Sequence, residues 1–302
     1  VRRIAVADYI CLDITPALTG PARLDPGLLF EVGPLSLALG GSVANTGRTL
    51  SALGADVLAF ANVGDDALGE ILRQALTTDD HIDGRLSVIS GTSTSYSLVF
   101  EPQGSDRTFW HHVGANREFD GAEIELEGID IFHLGYPPLL PALLRHDGAP
   151  LHELLKRARA IGAITSVDLA VVDPMSEAGA ADWNAVLRTM AAQTDLVRPS
   201  LDDLTSAFRI DSPFSIDLVE ELADRLLRWG GWPSPRSRPA NMDSSSAPPG
   251  LLASMNPARL LRRSGPLGPT ILSISHRTGS TRRLRRTGRE THRQPDSCSH
   301  WL

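Results

Sequence analysis

The chain is 302 residues long, 42% hydrophobic and 22% charged, with a formal net charge of −7. That allows one large α/β domain with a substantial core or two small domains, and is ordinary for a water-soluble protein. Two cysteines, Cys11 and Cys298, exclude a disulfide framework and a cysteine metal cluster; no apolar run approaches the roughly 18–20 residues of a membrane span, and the start lacks a signal-peptide core, so a cytoplasmic protein with no membrane partner is expected.

Residues 4–7 read as a buried strand, and residues 10–13 continue it toward a turn at Pro16. Residues 44–53 have a helical pattern ending at Gly54, residues 57–60 are strand-like, and residues 67–76 are helical again. Over 87–99 and 107–111, Ser, Thr and Tyr alternate with apolar residues around a turn at Pro102-Gln103-Gly104, which predicts a small sheet inserted into a larger α/β body. Residues 129–134, 163–167 and 196–197 read as further strands, separated by helices over 151–160 and 180–191. This alternation predicts an α/β fold with a mostly parallel, doubly wound sheet and helices on both faces. The last regular element is a helix over 213–229, with Pro213 at its start and Phe214, Leu218, Leu222 and Leu226 four apart on one face.

At Gly230 the composition changes. Residues 230–302 carry twelve Arg, no Lys and three acids, a formal +9; residues 1–229 carry 17 basic and 33 acidic residues, −16, and −16 + 9 = −7. One globular domain rarely divides its charge in this way.

The motif that carries chemistry is Gly40-Gly41-Ser42-Val43-Ala44-Asn45, running into a helix and followed by Gly54 and by Gly64-Asp65-Asp66-Ala67-Leu68-Gly69. Paired glycines before a helix let backbone approach a ligand closely, and an Asn on the first turn is placed to hydrogen-bond a hydroxyl. The whole stretch over 40–69 resembles the first signature of the ribokinase-like (PfkB-type) carbohydrate kinases, and the resemblance extends to about residue 229. It implies a ribokinase-like fold and an ATP- and Mg²⁺-dependent transfer of a phosphoryl group to a primary hydroxyl of a sugar or polyol. By that resemblance Asp13 binds sugar hydroxyls together with Gly40, Gly41 and Asn45. Segments within 10–20 and 86–112 form a β lid over the substrate that also provides a homodimer contact, with Tyr96, and Asn116 of Gly114-Ala115-Asn116, close to the substrate. Asp168 falls where the family has an aspartate after a central strand. Arg198-Pro199-Ser200-Leu201-Asp202-Asp203 resembles a Pro-Asn-x-x-Glu segment, with Ser200 for Asn and Asp203 for Glu. The Glu there organises magnesium and phosphate through water, a role Asp203 would fill with shorter reach.

Each of these residues also has a plainer reading. Asp13 would cap a turn before Pro16, and Asn45 would cap its helix. Asp65 and Asp66 are expected to cap the next helix rather than touch ligand. His111 and His112, adjacent on a strand, point to opposite faces, chelate no common metal, and read as lid surface. Cys11 reads as a small core residue, and Gly135-Tyr136-Pro137-Pro138 as a turn at a strand end. No direct metal ligand is expected.

The family's second signature, an Asp-Thr-x-Gly-Ala-Gly-Asp run, supplies the general base in its last Asp and an anion hole from helix-start amides. No Gly-Ala-Gly-Asp occurs in residues 1–302, and neither Asp243 nor Asp296 lies in a glycine-rich turn that could replace it. Joining each codon's last base to the next codon's first two, Ala240-Asn241-Met242-Asp243 allows Glu, His or Tyr, Gly, then Leu or Phe, and the segment from Arg286 to Thr291 allows Gly-Ala-Gly-Asp. The expectation is therefore a frameshift near 230–232, leaving a poorly ordered Arg, Pro and Ser-rich tail over 230–302 and a bare sheet edge beside it. A basic tail that binds nucleic acid is the alternative, but no aromatic residues interleave with its arginines, so no nucleic-acid partner is expected. The chain reads as a carbohydrate kinase by resemblance, catalytically defective as translated. A nucleoside kinase and a non-catalytic sugar-binding or dimerising remnant are the alternatives.

Overall fold

A computed structural model describes residues 2–20, 25–102 and 107–230, together with the backbone of residues 271–272. In chain order the elements are β1 (Arg3–Ala7), β2 (Cys11–Pro16), β3 (Leu35–Gly40), α1 (Ser42–Ala52), β4 (Asp56–Gly64), α2 (Ala67–Leu76), β5 (Ile82–Ile89), β6 (Tyr96–Phe100), β7 (Thr108–His112), β8 (Ile131–Leu134), α3 (Pro141–Ala160), β9 (Ile164–Val167), α4 (Trp183–Gln193), β10 (Leu196–Val197), α5 (Leu201–Phe208), α6 (Ile216–Trp229) and β11 (Ile271–Leu272).

The large sheet has the order β11-β10-β9-β8-β1-β4-β5 and every neighbouring pair is parallel. A parallel sheet needs cover on both faces, and the period of two along each strand divides its side chains between them. On one face Ile4, Val6, Val57, Ala59 and Ala61 pack with Val43 of α1 and Leu72 and Leu76 of α2. On the other, Ala5, Ala7, Leu58, Phe60, Phe132 and Leu134 pack with Leu151 and Leu155 of α3, Leu187 and Met190 of α4, Leu204 of α5 and Leu222 of α6. The doubly wound arrangement expected from the sequence is what these two clusters require.

A second sheet of four strands, β3-β2-β6-β7, rises from the carboxyl side of β1. Its central pair β2–β6 is parallel and the outer pairs are antiparallel. Two expectations change here. Residues 87–89, assigned to the inserted sheet, are the end of β5 and pair with β4 in the large one. Strand β3 is not among the predicted strands, although Leu35, Leu37 and Leu39 alternate with Ser36 and Ala38.

Helix boundaries show where local capping overrides periodicity. Asp182 accepts hydrogen bonds from the amides of Asn184 and Ala185, so α4 starts at Trp183 and not at residue 180. The Ser215 hydroxyl accepts from Leu218 N–H at 3.1 Å, so α6 starts at Ile216; Pro213 and Phe214 precede it, and Phe214 lies outside the buried stripe. Helix α3 begins ten residues before its predicted start and is broken at 145–148, where Arg145 is extended and three successive residues take positive φ. Helix α5 was not expected: Ser200 caps it and Asp203 closes a capping box. The edge at β10, expected bare, pairs over two residues with β11. The predicted turn at 102–104, Cys298, Asp243, Asp296 and the out-of-frame motifs lie wholly or partly outside the described residues. Among the described residues no helix is long and apolar enough to cross a membrane.

Asp66 ties α2 to the root of the small sheet. Its carboxylate caps the helix at Gly69 N–H (2.9 Å) and accepts from Thr94 N–H (2.8 Å) and the Thr94 hydroxyl (2.5 Å). Asp66→Ala removes the cap and strands the buried Thr94, so a loss of about 2–3 kcal/mol is expected by urea denaturation. A change under about 0.5 kcal/mol would show that the bonds at Thr94 contribute nothing.

Candidate functional site

The carboxyl end of β1 is where the two sheets meet. The chain leaves β1 at Ala7, crosses through Asp8-Tyr9-Ile10, all buried, and enters β2. Against this crossing lies the Gly40-Gly41 turn between β3 and α1. Gly41 has φ 87°, and a Cβ there would overlap the Tyr9 carbonyl oxygen; a Cβ on Gly40 would stand 2.5 Å from the Asp13 carboxylate. At Gly41, where the clash is with backbone, only glycine allows so close an approach; at Gly40 a side chain would displace the Asp13 carboxylate. Asp13, Gly40 and Gly41 are thus brought together, and Asn45 stands exposed one helical turn further on.

The plainer readings of two of these residues fail on geometry. Asp13 caps no turn, because β2 runs straight through it to Pro16 and its register partners are Ala38 on β3 and Ser97 on β6. Asn45 caps no helix end: the N-cap of α1 is Gly41, and Asn45 already donates its amide to the Gly41 carbonyl at 3.0 Å. Asp65 behaves differently from its expected helix-capping role. It accepts from Gly91 N–H and the Ser90 hydroxyl, bridging to the loop after β5.

Two lid residues are corrected. Tyr96 pairs with Leu12 and His112, so the pleat places it on the face of the small sheet opposite Asp13. Asn116 is wholly buried, and its side-chain amide donates to the Ile10 carbonyl at 2.9 Å, a strut for the crossing rather than a wall of an open site. His111 is a third correction. Instead of lying on the lid surface it turns inward, its Nδ1 2.8 Å from the Tyr9 hydroxyl and 3.2 Å from the Ser97 hydroxyl, while His112 stays exposed. Cys11 is buried as expected, its thiol donating to Asp13 Oδ1 at 3.2 Å.

A second group lines the carboxyl edge of the large sheet: Asp8 after β1, Gly135 and Tyr136 after β8, Asp168 after β9, and Arg198 after β10. Asp8 was not singled out by the sequence, although an Asp directly after the apolar run Ile4–Ala7 of a parallel strand is a signal for this edge. It accepts from Ser42 N–H at 2.7 Å and so ties α1 to β1. Burial pushes the Asp8 carboxyl up to about 7 against the hydrogen bonds of Ser42 and Tyr9, with Asp168 adding to the rise. Asp168 is raised to about 6 by burial, opposed by Leu169 N–H and by Arg198. Tyr136 is held in the left-handed region at φ 30°, and burial, then Asp8 and Asp168, push its phenol up. A Cβ on Gly135 would overlap Ser42 and Asp8, which is why the turn expected there begins with glycine. Asp203 is 5% exposed and one of its oxygens accepts from Ser200 N–H at 2.7 Å in the capping box.

The buried acids and histidines act on stability with opposite signs. Asp8 and Asp168 keep protons that the unfolded chain gives up above its ordinary value of 3.8, so each lowers stability as pH rises to about 7 and about 6 respectively. His111 and His133, both held down to about 4 by burial, stay neutral where the unfolded chain is charged below 6.5, so each raises stability over that rise. The opposing slopes predict a flat wild-type profile between about pH 4 and 6. Asp8→Asn, which keeps an acceptor for Ser42 N–H, removes one falling component. Relative to wild type it should gain on the order of 3 kcal/mol between pH 4 and pH 7 in urea titrations, and a constant difference across that range would contradict the assignment.

A family model described as pfkB family carbohydrate kinase matches residues 2–229. The ATP-dependent 6-phosphofructokinase of Thermoanaerobacterium thermosaccharolyticum is 25% identical over 207 residues, 68% of this chain and 63% of that enzyme, so the match spans less than two thirds of the relative's length. The fructokinase of Halothermothrix orenii shares the fold with a TM-score of 0.57 at 21% identity, over 76% of this chain and 77% of that one. The Arabidopsis thaliana ribokinase complexed with ribose and ATP does so with a TM-score of 0.55 at 14% identity, over 76% and 70%. A signature cradle at the meeting of two sheets, a doubly wound body beneath it, and a family model that covers most of the chain lead to one assignment: this protein belongs to the pfkB family of carbohydrate kinases.

Proposed function

We propose that the chain binds a sugar or polyol in the cradle of Asp13, Gly40, Gly41 and Asn45, under the polar face of the small sheet, and does not phosphorylate it at the rates of a working kinase. Kinases of this family are phosphotransferases, and ATP with Mg²⁺ is the donor this reading calls for. The observation that supports the binding half is the Asp13 carboxylate lying directly against Gly40, a hydroxyl acceptor beside backbone that carries no side chain. A carboxylate in that position accepts from two vicinal hydroxyls, while the exposed amide of Asn45 donates or accepts at a third.

The catalytic half rests on what the residues do not provide. The 302 residues contain no Gly-Ala-Gly-Asp run to act as base and anion hole. Among the described residues no group of three or more His, Cys, Asp or Glu is placed to hold a metal ion, and Asp203 is engaged in a helix cap. Phosphoryl transfer depends almost wholly on positioning and charge stabilisation, so turnover should fall by orders of magnitude.

The outer face of the small sheet supports a homodimer as the assembly. Across its four strands the register aligns Leu37, Ile14, Leu98 and Trp110 in one row. Leu35, Leu37 and Trp110 are 59%, 52% and 44% exposed, so this face presents large apolar side chains to water. A second copy of the same face covers such a row with itself.

Calorimetric titration with ribose, fructose and fructose 6-phosphate should show binding of at least one, with Asp13→Ala weakening it by about 100-fold through loss of charge-assisted hydrogen bonds. A coupled ADP assay with the same sugar should stay near background; turnover in the ordinary range of about 1–100 per second would overturn the defective reading. Sedimentation should give a dimer that Leu37→Glu together with Trp110→Glu converts to monomer, and a monomeric wild type at micromolar concentration would sink the assembly.

A further inference from the structure

The polar face of the small sheet carries a row that the family signature does not contain. Register pairs Asp13 of β2 with Ser97 of β6, and Ser97 with His111 of β7, so the three side chains stand side by side on the face turned to the cradle. Cys11, two residues before Asp13, shares that face, and Tyr9 reaches it from the crossing. Their polar atoms connect in order. His111 Nδ1 lies 2.8 Å from the Tyr9 hydroxyl and 3.2 Å from the Ser97 hydroxyl; Ser97 lies 3.7 Å from the Cys11 sulfur; and the Cys11 thiol donates to Asp13 Oδ1 at 3.2 Å. The His111 ring also sits edge-on to Tyr9, with centroids 4.8 Å apart. Among the described residues its Nε2 is enclosed without a partner, so its side-chain hydrogen bonds run through Nδ1.

We infer that His111 is a positioning residue, fixing Asp13 and the Gly41 turn through this buried chain, so that the outermost lid strand sets the affinity of the sugar cradle. The inference rests on the sugar-binding reading above. The direction of the chain follows from its end: a carboxylate only accepts, so the Cys11 hydrogen points to Asp13 and leaves the sulfur to receive from Ser97. Burial keeps the Tyr9 phenol and the Cys11 thiol protonated and the imidazole uncharged. With Ser97 donating to sulfur, the imidazole carries its hydrogen on Nδ1 and donates to the Tyr9 hydroxyl, which in turn donates to Ser97 Oγ at 3.5 Å. Tyr9 closes the second route. Its carbonyl is the atom against which Gly41 packs and its hydroxyl is held by His111, so one imidazole braces both sides of the cradle. His111 touches no reacting atom in this scheme; it acts through Tyr9 and Asp13.

The test is titration of the full-length chain and its variants with ribose, fructose and fructose 6-phosphate, well below the melting temperature of each variant. For whichever sugar binds the wild type, His111→Phe and Tyr9→Phe should each weaken affinity by about 10-fold. The double variant should be no weaker than either single one, because both break the same link. His111→Asn, whose amide overlays Nδ1, should regain most of the affinity, which a purely structural loss would not. Wild-type affinity in His111→Phe, or losses that multiply in the double variant, overturns the inference while Asp13→Ala still reports on the sugar site. If no sugar binds the wild type, or Asp13→Ala binds like wild type, the sugar reading has failed and the inference falls with it. Should His111→Phe fail to fold, Tyr9→Phe decides in the same way, since it removes a single hydroxyl.

Discussion

The close packing of the Gly40-Gly41 turn against the β1–β2 crossing is the contact on which the rest of the molecule depends. Because neither residue carries a side chain, the end of β3, the start of α1, the Tyr9 carbonyl and the Asp13 carboxylate converge at one point. Any larger residue would push α1 off the large sheet or β3 off the small one. Asp8 secures the same junction from below by accepting the first amide of α1. The cradle is therefore the place where helix, crossing and lid are welded, and its shape cannot change without moving one of the two sheets.

The pleat period does the remaining sorting. In the large sheet it sends alternate residues of β1 and β4 to two separate cores, which requires helices on both sides. In the small sheet the same alternation has a different outcome, because only part of it is backed by helices. One face carries Asp13, Ser97 and His111; the other carries Ile14, Leu37, Leu98 and Trp110, of which Leu37 and Trp110 are exposed while Ile14 packs against the core beneath. The small sheet thus has a polar face and an apolar face without any change of fold.

Burial gives the junction its electrostatic character. Asp8 and Asp168 stand at the ends of β1 and β9, on either side of β8, and Tyr136 at the end of β8 lies between them in a strained backbone conformation. Near neutral pH Asp8, raised to about 7, holds its proton about half the time, whereas Asp168, raised to about 6, is mostly ionised beside Arg198.

By itself the sequence determined the doubly wound class, most of the alternation of strands and helices, the glycine turn before α1 and the change of character at Gly230. These follow from short-range patterns: apolar runs for strands buried on both faces, a four-residue stripe along α6, and glycines where backbone must approach closely. Tertiary structure decided what those patterns leave open. Residues 87–89 extend the large sheet because β4 offers a longer parallel partner, and β3 forms because β2 needs a neighbour, neither of which local propensity records. Capping residues rather than periodicity set the starts of α4 and α6. Tyr96 and His111 differ by strand face, and that depends on register between strands far apart in the chain. Asp8 acquired its role only when three strand ends met around it, because burial and neighbouring charge, unlike residue identity, exist only in the folded chain.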